Sequence, residues 1–322
     1  MADSLIYVSR LLTDRAMAHL KSLGVEVRVV DEDPPSRAEL EESIAGAGAA
    51  VVTLTERVDA ALLAAAGDQL KVVANVAVGY DNIDLDAAEA AGVTVTNTPG
   101  VLDRATADHT FALILAATRR VAEGDRFLRS REPWVWGPRM LVGLDVSAGA
   151  TLGILGYGRI GRAVAKRAQA FDMTVVASAR SRRPGTEEDG VAFVDTSTLL
   201  ATSDVVSVLT PLTPETHHLI DATALAAMKP TAYLINTARG GVVDEAALVD
   251  ALHSGQIRGA ALDVFEGEPH VNPALLDAPN LVLTPHIASA GEATRDAMGI
   301  LAIDNAAAVL AGDPPLTPVR RG

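Results

Sequence analysis

Short apolar runs separated by amphipathic segments recur along almost the whole chain. LIYV (5–8), EVRVV (26–30), AAVVTL (49–54), KVVANV (71–76) and VTVTN (93–97) are too short for helices, rich in β-branched residues, and read as strands. Between them lie segments of helical period that open on capping residues, Thr13 before DRAMAHLKSL and Asp84 before LDAAEAA. Apolar strands alternating with helices predict a parallel sheet covered on both faces. A second series of the same kind starts at Leu152 and runs through TVVASA, DVVSVL, AYLIN, RGAALDV and LVLTP. The fold class expected is therefore α/β, with two doubly wound parallel-sheet domains.

The seams between the two series are legible. Pro99 and Gly100 of NTPG break the pattern before the long helical stretch ATADHTFALILAATRR. A second crossing is expected at TPHIASA (284–290), because the helical segment EATRDAMGILAIDNAAAVLAG after it has no strand to feed and would pack back on the first domain. Residues 1–98 with 288–322 would then form one discontinuous domain, and residues 99–287 a second domain inserted into it.

Composition narrows the partners. A chain of 322 residues suits two domains, and 49% apolar with only 3% aromatic residues points to interiors built from Ala, Val, Leu and Ile. With 27 Lys and Arg against 41 Asp and Glu, the net charge of −14 repels phosphate backbones and anionic lipid, so neither nucleic acid nor membrane is an expected partner. The absence of Cys excludes disulfides, thiolate catalysis and zinc–thiolate sites. The opening MADSLIYVSR has no basic segment followed by a long apolar one, so a cytoplasmic location is expected.

The candidate chemistry begins in LGILGYGRIGRAVAKRA (152–168). Gly156, Gly158 and Gly161 stand in G-x-G-x-x-G spacing between a strand and a helix, the context in which this pattern binds a dinucleotide. The first glycine permits the turn, the second lets the backbone approach a pyrophosphate at the helix start, and the third lets helix and strand pack closely. An acidic residue about 20 positions on would hold the ribose of NAD. Here VVASARSRRP places Ser178 and Ala179 at that point, followed by Arg180, Ser181, Arg182 and Arg183. Cations and hydroxyls suit a 2′-phosphate, so NADP(H) is the expected cofactor, with NAD(H) possible; a solvated basic loop is the plainer alternative.

Further on, NTARGGVVDEAALVDAL, GAALDVFEGEP and LVLTPHIASA follow in order. With NVAVGYDNIDLDAA, TNTPGVL, WVWGPRMLVG and LGYGRIG, they make the chain resemble the D-isomer-specific 2-hydroxyacid dehydrogenases, and within them the glyoxylate and hydroxypyruvate reductase branch. The resemblance runs from about Lys71 to the terminal PPLTPVR. It implies a Rossmann nucleotide domain inserted into a flavodoxin-like substrate domain, and a catalytic set of Arg239, Glu268 and His286. The chemistry agrees: reducing a 2-keto acid leaves negative charge on the carbonyl oxygen, which calls for a proton donor and a fixed cation. His286 is the neutral-pH acid, Glu268 would orient its ring, and the planar fork of Arg239 can hold the substrate carboxylate. Taken singly, each has a plainer reading: a capping turn for Arg239, loop surface for Glu268, a hinge for His286.

The resemblance also implies substrate contacts from the backbone of Val78 and Gly79. Cofactor contacts would come from Thr106, Arg159, Ile160, Thr210, Pro211, Ala238 and Asp263, the last accepting from the nicotinamide amide. Ala288, where the family commonly has Gly, would narrow the cofactor edge. Trp134 and Trp136 lie in an arm expected to cross to a twin subunit and line its substrate pocket, giving a homodimer. No metal is expected: His217 and His218 in TPETHHLI would face opposite sides of an extended segment, and His19, His109, His253 and His270 have no ligand-like spacing. The function expected is NADPH-preferring reduction of glyoxylate and hydroxypyruvate to D-2-hydroxy acids. The alternatives are a sibling enzyme acting on glycerate, phosphoglycerate or a bulkier 2-keto acid, and a dinucleotide-sensing protein without catalysis.

Overall fold

The computed structural model describes residues 5–30 and 34–320; residues 1–4 of the stretch read for a leader lie outside it. The chain forms two compact units, one running to Leu102 and resuming at Ala290, the other spanning Asp103–Ser289. The passages fall a little beyond those expected at 98/99 and 287/288. Residues 99–102 are a turn, and the long helix starts only at Asp103. At the other passage the amides of Ile287 and Ala288 are bound to Asp263, which keeps residues 287–289 with the second unit.

The first unit holds strands β1 (Leu5–Val8), β2 (Glu26–Val29), β3 (Ala49–Val52), β4 (Val72–Asn75) and β5 (Thr94–Thr96), all parallel in the order 2-1-3-4-5. This is the flavodoxin-like winding. β1, β3 and β4 are buried along their whole length, as their unbroken apolar runs require. The helices between strands start at Thr13, Ser36, Asp59 and Asp84, whose side chains each accept a backbone N–H of the first turn. The final helix, Glu292–Leu310, returns to pack on β3, β4 and the helix Asp14–Ser22. Gly299 permits that crossing, since a Cβ there would lie 2.7 Å from the Cβ of Ala16.

The second unit is built on eight strands: β6 (Thr151–Leu155), β7 (Thr174–Ser178), β8 (Glu187–Glu188), β9 (Val191–Phe193), β10 (Val205–Val208), β11 (Tyr233–Asn236), β12 (Gly259–Leu262) and β13 (Leu281–Leu283). Their order is β13-β12-β11-β10-β6-β7-β9-β8, parallel except for β8. Counting from β6, the central six run 3-2-1-4-5-6, the Rossmann order. The pattern of apolar runs does not announce β8 and β9, because three residues of VAF and two glutamates carry too little periodicity. The helix expected over 105–120 spans Asp103–Thr118. Arg120 after it takes a left-handed conformation (φ 54°), opens the helix Val121–Arg129 and pairs with Glu123 at 2.6 Å.

Asn305 ties the last helix to the tail that follows it. It is fully buried, donates to the carbonyl of Leu301 (2.8 Å) and to Thr317 Oγ1 (2.9 Å), and accepts from the Thr317 amide (2.9 Å). The tail thereby reaches β5, where the Val319 amide meets the Val95 carbonyl at 2.8 Å. Asn305→Ala removes two hydrogen bonds to the half-buried Thr317, and urea unfolding is expected to show a loss of about 1–3 kcal/mol; an unchanged midpoint would show that these bonds contribute nothing.

Candidate active site

Because β6 and β10 to β13 are parallel neighbours, the loops after them emerge along one edge of the sheet, and this edge carries the glycine turn. Gly156 (φ 99°) ends β6, and a Cβ on it would sit 2.7 Å from the backbone of Leu209 and Thr210. A Cβ on Gly161 would lie 2.5 Å from the carbonyl oxygen of Gly156, so the helix Arg159–Ala170 can rest on the strand only without a side chain there. Gly158 differs: a Cβ would meet nothing within 4 Å. The protein's own packing gives no reason for a glycine at that point, whereas a pyrophosphate approaching the backbone does. The helix also starts without a side-chain cap, leaving first-turn amides for an anion. The residues fit a dinucleotide.

Four strands away along the same edge, at ~4.8 Å per strand or about 19 Å, lies His286. Its Nδ1 is 2.6 Å from Glu268 Oε2, and Glu268 Oε1 accepts the Phe265 amide at 2.8 Å. An ionised carboxylate only accepts, so Nδ1 carries the hydrogen and Nε2 is left for the reacting atoms. Both side chains are about three-quarters buried. Arg239 stands after β11 in a turn held by Asn236, which donates to the Arg239 carbonyl (2.9 Å) and accepts from the Ala238 amide (3.0 Å). The next residue must be glycine, since a Cβ on Gly240 would overlap Phe265 at 1.9 Å. The Arg239 turn therefore lies directly on the segment that carries Glu268.

The His286 turn is itself held by Asp263. His286 has a left-handed backbone (φ 53°), which for a non-glycine residue costs on the order of 1 kcal/mol. Its amide donates to the Asp263 carbonyl (2.8 Å), and the fully buried Asp263 carboxylate accepts from the Ile287 amide (2.9 Å), the Ala288 amide (2.8 Å), the Thr284 hydroxyl (2.6 Å) and His109 Nε2 (3.2 Å). Burial works to raise the Asp263 pKa, but the hydrogen bonds from His109, Thr284 and the two amides outweigh it and hold the carboxyl below its ordinary value. Oδ1 takes the Thr284, Ile287 and His109 donors and Oδ2 the Ala288 amide alone. Asp263 thus positions the histidine turn, and Ala288 contributes a buried amide to it. Sequence reading missed His109 and Thr284; 175 residues separate them, and only the packing of the helix Asp103–Thr118 beside β12 and β13 brings them together.

The other expected cofactor residues divide. Thr210 and Pro211 follow β10, with the Thr210 backbone against Gly156, Ala238 is half-buried before Arg239, Ile160 packs on the core, and Thr106 is buried on the long helix. Arg159 opens the glycine helix and pairs with Asp103 at 2.8 Å. Ser178 ends β7 with its hydroxyl 3.1 Å from that of Thr196, and Arg180 and Ser181 are exposed after it. Arg182 turns away: its Nε donates to Glu188 at 2.8 Å, and Glu188, paired with Arg162 as well, is held below the ordinary carboxylate range by both. In the first unit, Asn97 and Asn75 donate to the carbonyls of Val78 and Gly79, both at 2.8 Å, and so fix those peptide planes. Trp134 and Trp136 are exposed on an irregular arm.

One expectation fails outright. His217 and His218 do not face opposite sides, because residues 214–218 form a turn rather than an extended segment and His218 is left-handed (φ 51°). Their rings stack with centroids 3.9 Å apart, and both present Nε2 to Glu266.

Comparison with known proteins agrees with this geometry. The family model described as "D-isomer specific 2-hydroxyacid dehydrogenase, NAD binding domain" matches residues 111–288. The chain is 48% identical over 316 residues to a glyoxylate reductase of Thermococcus litoralis, covering 96% of this chain and 95% of that one. A crystal structure of a Thermus thermophilus protein superposes with a TM-score of 0.92 at 46% identity, covering 98% of this chain and all of the other. A Sinorhizobium meliloti NADPH-dependent glyoxylate/hydroxypyruvate reductase, solved with NADP and malonate, gives 0.83 at 35% identity with both chains fully covered.

The glycines separate packing from binding. Gly161→Ala is expected to lower stability by about 1–3 kcal/mol, read by chemical denaturation. Gly158→Ala should cost no more than about 1 kcal/mol, yet weaken dinucleotide binding by about tenfold or more, equivalent to roughly 1.4 kcal/mol, in a fluorescence titration. Unaltered binding by Gly158→Ala would argue against a pyrophosphate at that turn.

Proposed function

The chain belongs to the D-isomer-specific 2-hydroxyacid dehydrogenases, and from that premise we propose that it reduces small 2-keto acids, glyoxylate and hydroxypyruvate first, with NADPH. The product is a D-2-hydroxy acid where the carbon becomes chiral. The observation that carries this reading is the 2.6 Å contact of His286 with Glu268 on the sheet edge that also bears the glycine turn.

The nicotinamide, when bound, supplies the hydride to the carbonyl carbon. His286 gives its proton from Nε2 to the carbonyl oxygen as negative charge develops there. Glu268 keeps the ring in that orientation through Nδ1. Arg239 pairs its planar fork with the substrate carboxylate and draws charge at the carbonyl oxygen, a task that the single point charge of a lysine would perform less well. The exposed Arg180 and Ser181, with Ser178 in place of an acid, support a 2′-phosphate. Trp134, Val135 and Trp136, half or more exposed on the arm, support a homodimer, and the reading places the enzyme in the cytoplasm.

Steady-state assay of a keto-acid panel with both cofactors is expected to favour NADPH by at least about tenfold in kcat/KM, the effect of one charge-assisted hydrogen bond of roughly 1.5 kcal/mol. Ala179→Asp with Arg180→Ala should reverse the order, and equal efficiency in the unmodified protein would refute the assignment. Glu268→Gln removes the carboxylate that orients the His286 ring, so kcat for reduction should fall about a hundredfold. A kcat close to that of the unmodified protein would mean that Glu268 does not act through His286.

A further inference from the structure

We propose that His217, His218 and Glu266 form a binding site for a divalent cation of the zinc class. The three ligand atoms lie within 4.8 Å of one another, with Nε2 of His217 3.3 Å from Glu266 Oε1 and Nε2 of His218 3.2 Å from Oε2. Those separations are long for hydrogen bonds, which centre near 2.9 Å. With zinc–nitrogen and zinc–oxygen bonds of about 2.0–2.1 Å, two ligands on a tetrahedral centre stand about 3.3 Å apart. Each separation has about that length but runs to a different carboxylate oxygen, so one ring and its oxygen stand as a tetrahedral edge and the other ring, stacked on the first, completes the set by turning about its side-chain bonds. Two imidazoles with one carboxylate select zinc, cobalt, nickel or copper over magnesium and calcium, which favour all-oxygen sets.

The backbone holds these groups in place. The His217 amide donates to the Thr213 carbonyl and the His218 amide to the Gly241 carbonyl, each at 2.9 Å. The Glu266 amide donates to Glu245 at 2.8 Å, and its position is set by Gly240, where a Cβ would come within 2.2 Å of that nitrogen. His217 and Glu266 are exposed by 51% and 44%, so an ion can enter and keep a water as fourth ligand. The bound ion would join three segments: the turn after β10, the Arg239–Gly241 turn through its bond to His218, and the strand-end segment two residues before Glu268. It would act as a staple on the loops that carry the catalytic set.

Untagged full-length protein, stripped with a chelator and titrated with ZnCl2 alone, is expected to bind one ion per chain and to melt at higher temperature as zinc is added. Co2+ should develop the visible absorption of a tetrahedral centre, and Mg2+ should do neither. In the double variant His217→Ala/His218→Ala, with circular dichroism unchanged, zinc affinity should fall by at least about tenfold and the thermal shift should vanish. Absence of zinc binding up to about 0.1 mM would overturn the proposal. So would a double variant that binds as the parent does, since the ion would then sit elsewhere, for instance on His286 and Glu268.

Discussion

Asp263 sets the condition on which the catalytic edge depends. A carboxylate taken fully out of water costs several kcal/mol unless its oxygens are satisfied. Here two backbone amides, one hydroxyl and one imidazole converge on it from the His286 turn, from Thr284 and from the helix Asp103–Thr118. The same residue's carbonyl takes the His286 amide. A left-handed histidine backbone persists because these bonds over-determine it, and the ring is thereby aimed at Glu268. The position of the His286 ring thus rests on the bonds that its turn makes to Asp263.

A second constraint is the close approach of backbone to backbone. Gly156 and Gly161 let a strand and a helix meet without side chains between them, and Gly240 lets the Arg239 turn lie on Phe265 and Glu266. In both places glycine serves packing, and packing brings the loops of neighbouring strands into contact. Gly158, with open space where a Cβ would be, is the exception that marks a ligand.

Charge on the nucleotide unit is also distributed by tertiary pairing. The run Arg180 to Arg183 reads as one basic cluster in sequence, but Glu188 engages Arg182 together with Arg162, and the guanidinium of Arg182 lies over the Phe193 ring. Arg180, Ser181 and Arg183 are left exposed on this loop. The strand β8 that brings Glu188 there is two residues long and antiparallel to the rest.

The chain's local order determined two α/β series and the glycine fingerprint, which rest on period, spacing and capping among residues a few positions apart and so are read locally. The flavodoxin-like and Rossmann windings, and the three runs that carry Arg239, Glu268 and His286, are expected only from the resemblance to a family. Tertiary structure alone decided that Asp263 holds the His286 turn, that His109 and Thr284 meet, that Arg182 is committed to Glu188, and that His217 and His218 share a face. Those outcomes depend on which loops strand order places side by side and on left-handed residues such as His218 and His286. Neither leaves a mark on hydrophobic periodicity, because partners far apart in sequence are brought together only when the sheet has assembled.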